Sequence, residues 1–186
     1  MHPRHPFRPL LACALALLLT LAPQLAGAGQ SAAEANSPQV IPPEKSCGVC
    51  GMYPAQYPQW QTQVLFKDHS MTAFDGGKCM FRFLRNMAKF APGRTEADIA
   101  MIWVKDFASG AWVDGTKASY VVASDVLGPM GKELIPFASE EAARKFREQH
   151  GGTVELYERI TMETLKPLMG GMMRGPHGQG QMHHMP

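Results

Sequence analysis

From about residue 60 onward, apolar positions fall into alternation or into three-to-four spacing, and that pattern predicts the elements. Residues 60–66, W-Q-T-Q-V-L-F, and 71–74, M-T-A-F, read as two strands joined by a polar K-D-H-S hairpin turn. Asp75-Gly76-Gly77 breaks the pattern, and a helix follows to about Lys89. Met80, Leu84, Met87 and Ala88 give that helix a buried face, and Asp75 stands at its N-cap position. Pro92-Gly93 closes this stretch, and residues 99–104 form the next strand.

The second half repeats the order. Residues 112–113 and 119–123 read as strands, 124–131 as a connecting loop and 133–137 as another strand. Ser139 is placed to cap a helix through Gln149. Glu140 and Glu141 at its start, with Arg144, Lys145 and Arg147 later, suit its dipole, and Gly151-Gly152 ends it. Residues 153–157 are the last strand, before a short helical segment over 161–168. The expected class is α+β: two tandem ββαβ modules, 46–105 and 106–168, each a small antiparallel sheet covered by a helix.

The flanks carry no such pattern. Residues 1–9 hold Arg4 and Arg8 without an acid, residues 10–25 are almost wholly apolar, and Ala26-Gly27-Ala28 offers small residues for cleavage. This is the form of a secretory signal peptide over 1–28, too short for a good membrane span. Cleavage is expected after Ala28. Cys13 lies inside the apolar run and is expected to be discarded with it, which leaves no membrane anchor. Residues 29–45 read as a flexible tether. Residues 169–186 hold five Met, three His and five Gly, with too little other apolar surface to pack, and read as a disordered Met/His-rich tail.

Export points to the periplasm. Loss of Arg4 and Arg8 leaves the basic residues balanced against 16 acidic ones, so nothing suggests nucleic acid or an anionic membrane surface. Cys47, Cys50 and Cys79 remain. An odd count in an oxidising compartment cannot pair fully within one chain, so at least one thiol is free or metal-bound.

The chemistry concentrates in K-S-C-G-V-C-G-M-Y-P, residues 45–54. A thioredoxin-type dithiol needs its motif at a helix N-terminus, and Pro54 and Pro58 oppose a helix here. A closed zinc site wants a second ligand pair, and only Cys79 and scattered histidines are on offer. A plain Cys47–Cys50 disulfide stays open. Met52 adds a thioether, and thiolate with thioether selects Cu(I) over zinc. Met130, in the G-P-M-G loop, either plugs the sheet edge or points at a ligand. Cys79 reads as a half-buried small hydrophobe and Asp75 as a cap before anything else. His69 reads as exposed and His150 as a helix-end residue. In the tail, Met169, Met172, Met173, His177, Met182, His183, His184 and Met185 form a secondary set of copper donors, whose rival role is a nickel or zinc sink through its histidines. No catalytic triad, phosphate loop or paired carboxylates stand out, so no enzyme is expected.

Four motifs in order, C-G-V-C-G-M-Y-P at Cys47, V-L-F-K-D at Val64, F-D-G-G-K at Phe74 and G-P-M-G-K-E-L-I-P-F at Gly128, resemble the NosL family of copper-binding accessory proteins of nitrous oxide reductase. The resemblance spans about residues 47–157. It implies a periplasmic Cu(I) metallochaperone supplying the reductase's copper-sulfide centre, with that apo-enzyme or its assembly machinery as partner. It also implies two ββαβ-type modules, a fold compared with that of organomercurial lyase. Carried over by motif, it places the metal at Cys50 and Met130, with Cys47 and Met52 as further candidates and a histidine not identified by any motif. A periplasmic thiol oxidoreductase using Cys47 and Cys50, and a general copper-buffering or resistance protein, are the competing expectations.

Overall fold

The computed structural model describes residues 36–170. The expected leader, and all of the tail set except Met169, lie outside the described residues.

The first sheet is built from β1 (Thr62–Phe66), β2 (Met71–Phe74), β3 (Ile99–Lys105) and β4 (Trp112–Asp114), all antiparallel in the order β2-β1-β3-β4. All five residues of β1 are buried, as a central strand covered on both faces requires. Val64 and Phe66 enter the main core. Gln63 turns to the other face, opposite Trp103 on β3. There its amide accepts from the backbone N–H of Gln39 at 2.9 Å and donates to the Gln39 carbonyl at 3.0 Å. Trp103 Nε1 donates to the Asn36 carbonyl at 2.8 Å. The described part of the expected tether is therefore a strap lying on the sheet, with Ile41 buried. It lacks periodicity because its backbone makes these contacts, whatever its side chains.

One strand changes place relative to the sequence reading. Trp112–Asp114, expected to open the second module, pairs with β3 and extends the first sheet.

The second sheet has β5 (Ser119–Gly128) at its centre, between β6 (Gly131–Phe137) and β7 (Thr153–Leu156). Alternation along β5 divides two cores: Tyr120 and Val122 join the main cluster, while Val121 joins Trp60, Ile135, Phe137 and Ala143. The second cluster lies against α3 (Glu140–His150), where Ser139 Oγ accepts from the Ala142 N–H as expected of its cap. The main cluster is shared by both sheets through α1 (Gly77–Leu84), which is buried on nearly every side. Behind it, α4 (Met162–Leu165) contributes Leu165.

Two expectations are corrected here. Residues 124–131 are not a loop: β5 runs on to Gly128, which pairs with Gly131 across the two-residue turn Pro129-Met130. A bulge beyond Val122, where Ala123 takes φ 62°, disrupts the alternation that would have shown the strand. The first helix does not run unbroken to Lys89. It stops after Leu84 and resumes as α2 (Met87–Phe90), leaving Ala88 exposed. At the break the Arg85 side chain donates to the carbonyls of Tyr157 and Ile160.

Candidate metal centre

Residues 47–52 fold as a knuckle. The Cys47 N–H donates to the Met52 carbonyl at 2.6 Å and the Gly51 N–H to the Cys47 carbonyl at 3.2 Å. Gly51 takes φ 81°, which an L side chain resists. Gly48 pins the knuckle to the edge of β2 by donating to the Ala73 carbonyl at 3.0 Å. A Cβ there would stand 2.4 Å from Thr72 Cγ2, so glycine is needed for the approach. The backbone N–H of Cys50 favours the Cys47 thiolate, and that of Met52 favours the Cys50 thiolate.

Two more groups converge on this knuckle from the end of β2 and the start of α1. Asp75 and Cys79 are four residues apart, one helical turn, and both face it. The three sulfurs and a carboxylate oxygen all lie within 4.8 Å of one another. Cys47, Asp75 and Cys79 are buried and Cys50 is partly exposed. All three thiols are free. The Cys50 thiol donates to Asp75 Oδ1 at 3.2 Å.

The electrostatics favour one thiolate shared by its neighbours. Hydrogen bonds from Cys50 and Cys79 hold Cys47 far below the usual thiol range. The same bonds push Cys50 up to about 12 and Cys79 higher still. Burial, and then the Cys47 negative charge, raise Asp75 to about 6. The cluster thus offers one thiolate and one carboxylate to an incoming cation, with three soft donors and one hard one. That donor set suits a thiophilic ion.

Asp75 does not cap α1, contrary to the sequence reading. Glu133 of β6 does so from 55 residues away: its Oε2 accepts from the Lys78 N–H at 2.7 Å, and from the Leu134 N–H at 3.0 Å. Cys79 is buried in the main core, as expected of a small hydrophobe, and its sulfur also lies inside the cluster. The signal for both residues was their one-turn spacing in D-G-G-K-C. Met52 shares the knuckle through its backbone carbonyl. Met130 sits at the tip of the β5–β6 hairpin, partly buried, and its carbonyl accepts from Nζ of Lys78, the residue before Cys79. Met169 is also partly buried. Neither described histidine joins the cluster: His150 pairs with Asp125 at 3.0 Å, and His69 turns the β1–β2 hairpin at φ 65°.

Fold and cluster together define a small α+β protein built around a buried thiol–carboxylate centre. Comparison with known proteins gives the particular family. The chain belongs to the NosL family, whose sequence pattern matches residues 38–165. It is 26% identical over 182 residues to the copper-binding lipoprotein NosL of Stutzerimonas stutzeri, covering 91% of this chain and 92% of that protein. The crystal structure of the copper chaperone NosL from Shewanella denitrificans has the same fold, with a TM-score of 0.59 at 23% identity, covering 69% of this chain and 98% of that one. The solution structure of apo-NosL from Achromobacter cycloclastes aligns with a TM-score of 0.36 at 28% identity, over 56% of this chain and 87% of that one.

Proposed function

We propose that this chain is an exported Cu(I) carrier of the periplasm that hands its ion to a copper enzyme, the copper-sulfide centre of nitrous oxide reductase being the client the family resemblance implies. The observation that carries this reading is the convergence of the Cys47 and Cys50 sulfurs of the knuckle and the Cys79 sulfur of α1 within 4.8 Å of one another. Thiolates select a soft monovalent ion. The names of its relatives, a copper-binding lipoprotein and a copper chaperone, agree with that choice of metal.

In this reading Cys47 and Cys79 form the inner wall and Cys50, the one thiol with exposure, is the edge at which the ion enters and leaves. Met130 and Met52 are further soft donors, and the Met/His residues from Met169 to Met185 gather copper for the centre. Two or three soft ligands with one exposed edge allow exchange ligand by ligand with a partner. Dithiol redox chemistry fits less well. The knuckle leads into a three-residue 3₁₀ turn at Pro54–Gln56 and has no α-helix to supply a dipole, and the thiolate-forming Cys47 is only 4% exposed. Export agrees with the leader-like residues 1–28 and with the description of the Stutzerimonas relative as a lipoprotein. Among the described residues, no helix is long and apolar enough to cross a membrane.

The deciding experiment titrates the reduced chain with Cu(I) under anaerobic conditions against a chromophoric chelator, with and without residues 169–186. One tightly held ion that survives removal of the tail is the expected result. Loss of tight binding along with the tail would assign copper to the tail and leave the thiol cluster without this role.

A further inference from the structure

Lys78 is fully buried in the first turn of α1, and Glu133 of β6 is 2% exposed beside it. Burying an ammonium is costly unless every proton finds an acceptor. Here Nζ donates to three carbonyls: Met130, Lys132 at 2.8 Å and Leu168 at 3.4 Å. Two of these belong to the tip of the β5–β6 hairpin. In return, Glu133 accepts from the Lys78 N–H at 2.7 Å. Side chains thus cross in both directions between the helix bearing Cys79 and the hairpin bearing Met130.

Three glycines make room for this. A Cβ on Gly76 would stand 2.7 Å from Glu133 Oε1, one on Gly77 2.4 Å from the Leu134 carbonyl, and one on Gly128 2.5 Å from Glu133 Cγ. An apolar residue at 78 with a capping serine ahead of the helix would build the same helix start without burying two charged groups. What the Lys78–Glu133 pair adds is a fixed hairpin position relative to the thiols.

We infer that Lys78 and Glu133 are positioning residues that lock the Met130 hairpin onto the thiol-bearing helix, so that the metal centre is assembled across the two sheets. This rests on the reading above in which Met130 is a copper donor. Neither residue touches the ion. They act by holding one donor at a fixed place relative to the others, as outer-shell partners do at metal sites.

The test uses the full exported chain, reduced and anaerobic, with ¹³C-methyl-labelled methionine and Cu(I) alone as probe. The Met130 methyl signal is assigned by its loss in Met130→Leu. In the parent protein one equivalent of Cu(I) shifts that signal and produces thiolate-to-copper absorption. In Lys78→Met the absorption persists, the Met130 signal stays at its apo position, and affinity falls by roughly 10- to 100-fold. Adding Met130→Leu to Lys78→Met then costs nothing further. A Met130 signal that still shifts in Lys78→Met, at parental affinity, overturns the inference. A parental Met130 signal that ignores copper shows instead that Met130 is no donor, and both statements fall. Gly77→Ala, which drives a methyl against Leu134 while keeping Lys78, repeats the test should Lys78→Met not fold.

Discussion

The Cys50 thiol donates to Asp75 Oδ1 at 3.2 Å, joining two residues 25 positions apart. Asp75 stands next to a helix start yet serves the thiols, because Glu133 supplies the cap. The two carboxylates therefore differ in what they stabilise. Asp75→Ala removes no cap from α1, so the reduced, metal-free protein loses less than about 1 kcal/mol of unfolding free energy. Glu133→Ala leaves two buried N–H groups without an acceptor and costs about 3 kcal/mol. Urea unfolding of both variants checks this. A loss in Asp75→Ala equal to that in Glu133→Ala would return the capping role to Asp75.

Cys79→Ala is the sharpest test of the cluster. Read as a small buried hydrophobe, Cys79 should matter far less to copper than Cys50 or Met130. Its sulfur instead lies within 4.8 Å of those of Cys47 and Cys50. Cys79→Ala is expected to weaken Cu(I) binding at least tenfold, about 1.4 kcal/mol, in chelator competition. An unfolding curve of the metal-free variant separates this from loss of packing. Parental affinity in a folded Cys79→Ala protein would remove Cys79 from the donor set.

Most elements were legible because their two faces meet different surroundings. The alternation at 119–123 is that of a strand dividing two cores, with Val121 facing one and Tyr120 and Val122 the other. Where the period is interrupted, reading stopped. Ala123 at φ 62° breaks the alternation, so residues 124–128 looked like loop. Trp112–Asp114 is three residues long, too short for a pattern to choose its sheet, and pairing with β3 decides it. At the site, Cys47 and Cys50 were legible because the motif itself brings them together. Asp75 and Cys79 were visible as residue types, but only the turn from β2 into α1 carries them to the knuckle. Glu133 was invisible as a cap, since nothing local links it to a helix 55 residues earlier.

The buried Glu133 makes stability depend on pH. Burial raises its carboxyl from 4.5 to about 7, against the pull of Lys78 and two backbone N–H groups. The folded state therefore binds this proton more tightly than the unfolded chain does. The associated stability is fully present below pH 4.5 and is lost as pH rises through 7. The gap corresponds to on the order of 3 kcal/mol. Unfolding free energies measured from pH 4.5 to 8 in the parent and in Glu133→Gln give the comparison. The parental decline should become shallower around pH 7 in Glu133→Gln, which cannot ionise, while the part that Asp75 contributes around pH 6 remains. An unchanged slope would assign the dependence to another group.

The strap supplies the last prediction. Gln63 is fully buried on the sheet face that receives residues 36–42, while Val64 and Phe66 point into the main core with α1. Its two hydrogen bonds to Gln39 are what a neighbouring strand would have made. Gln63→Ala removes both and frees the strap to exchange with water. At 2–4 °C per kcal/mol for a protein of this size, a loss of about 2 kcal/mol lowers Tm by roughly 4–8 °C. Cu(I) affinity should stay within about threefold of the parent, because additivity holds for sites that share no partner. Calorimetry and the chelator assay on one preparation read both quantities. An unchanged Tm would mean that residues 36–42 do not hold the sheet and act as a tether after all. A large loss of affinity would mean that the strap, through Lys45 and Ser46, helps to set the knuckle that follows it.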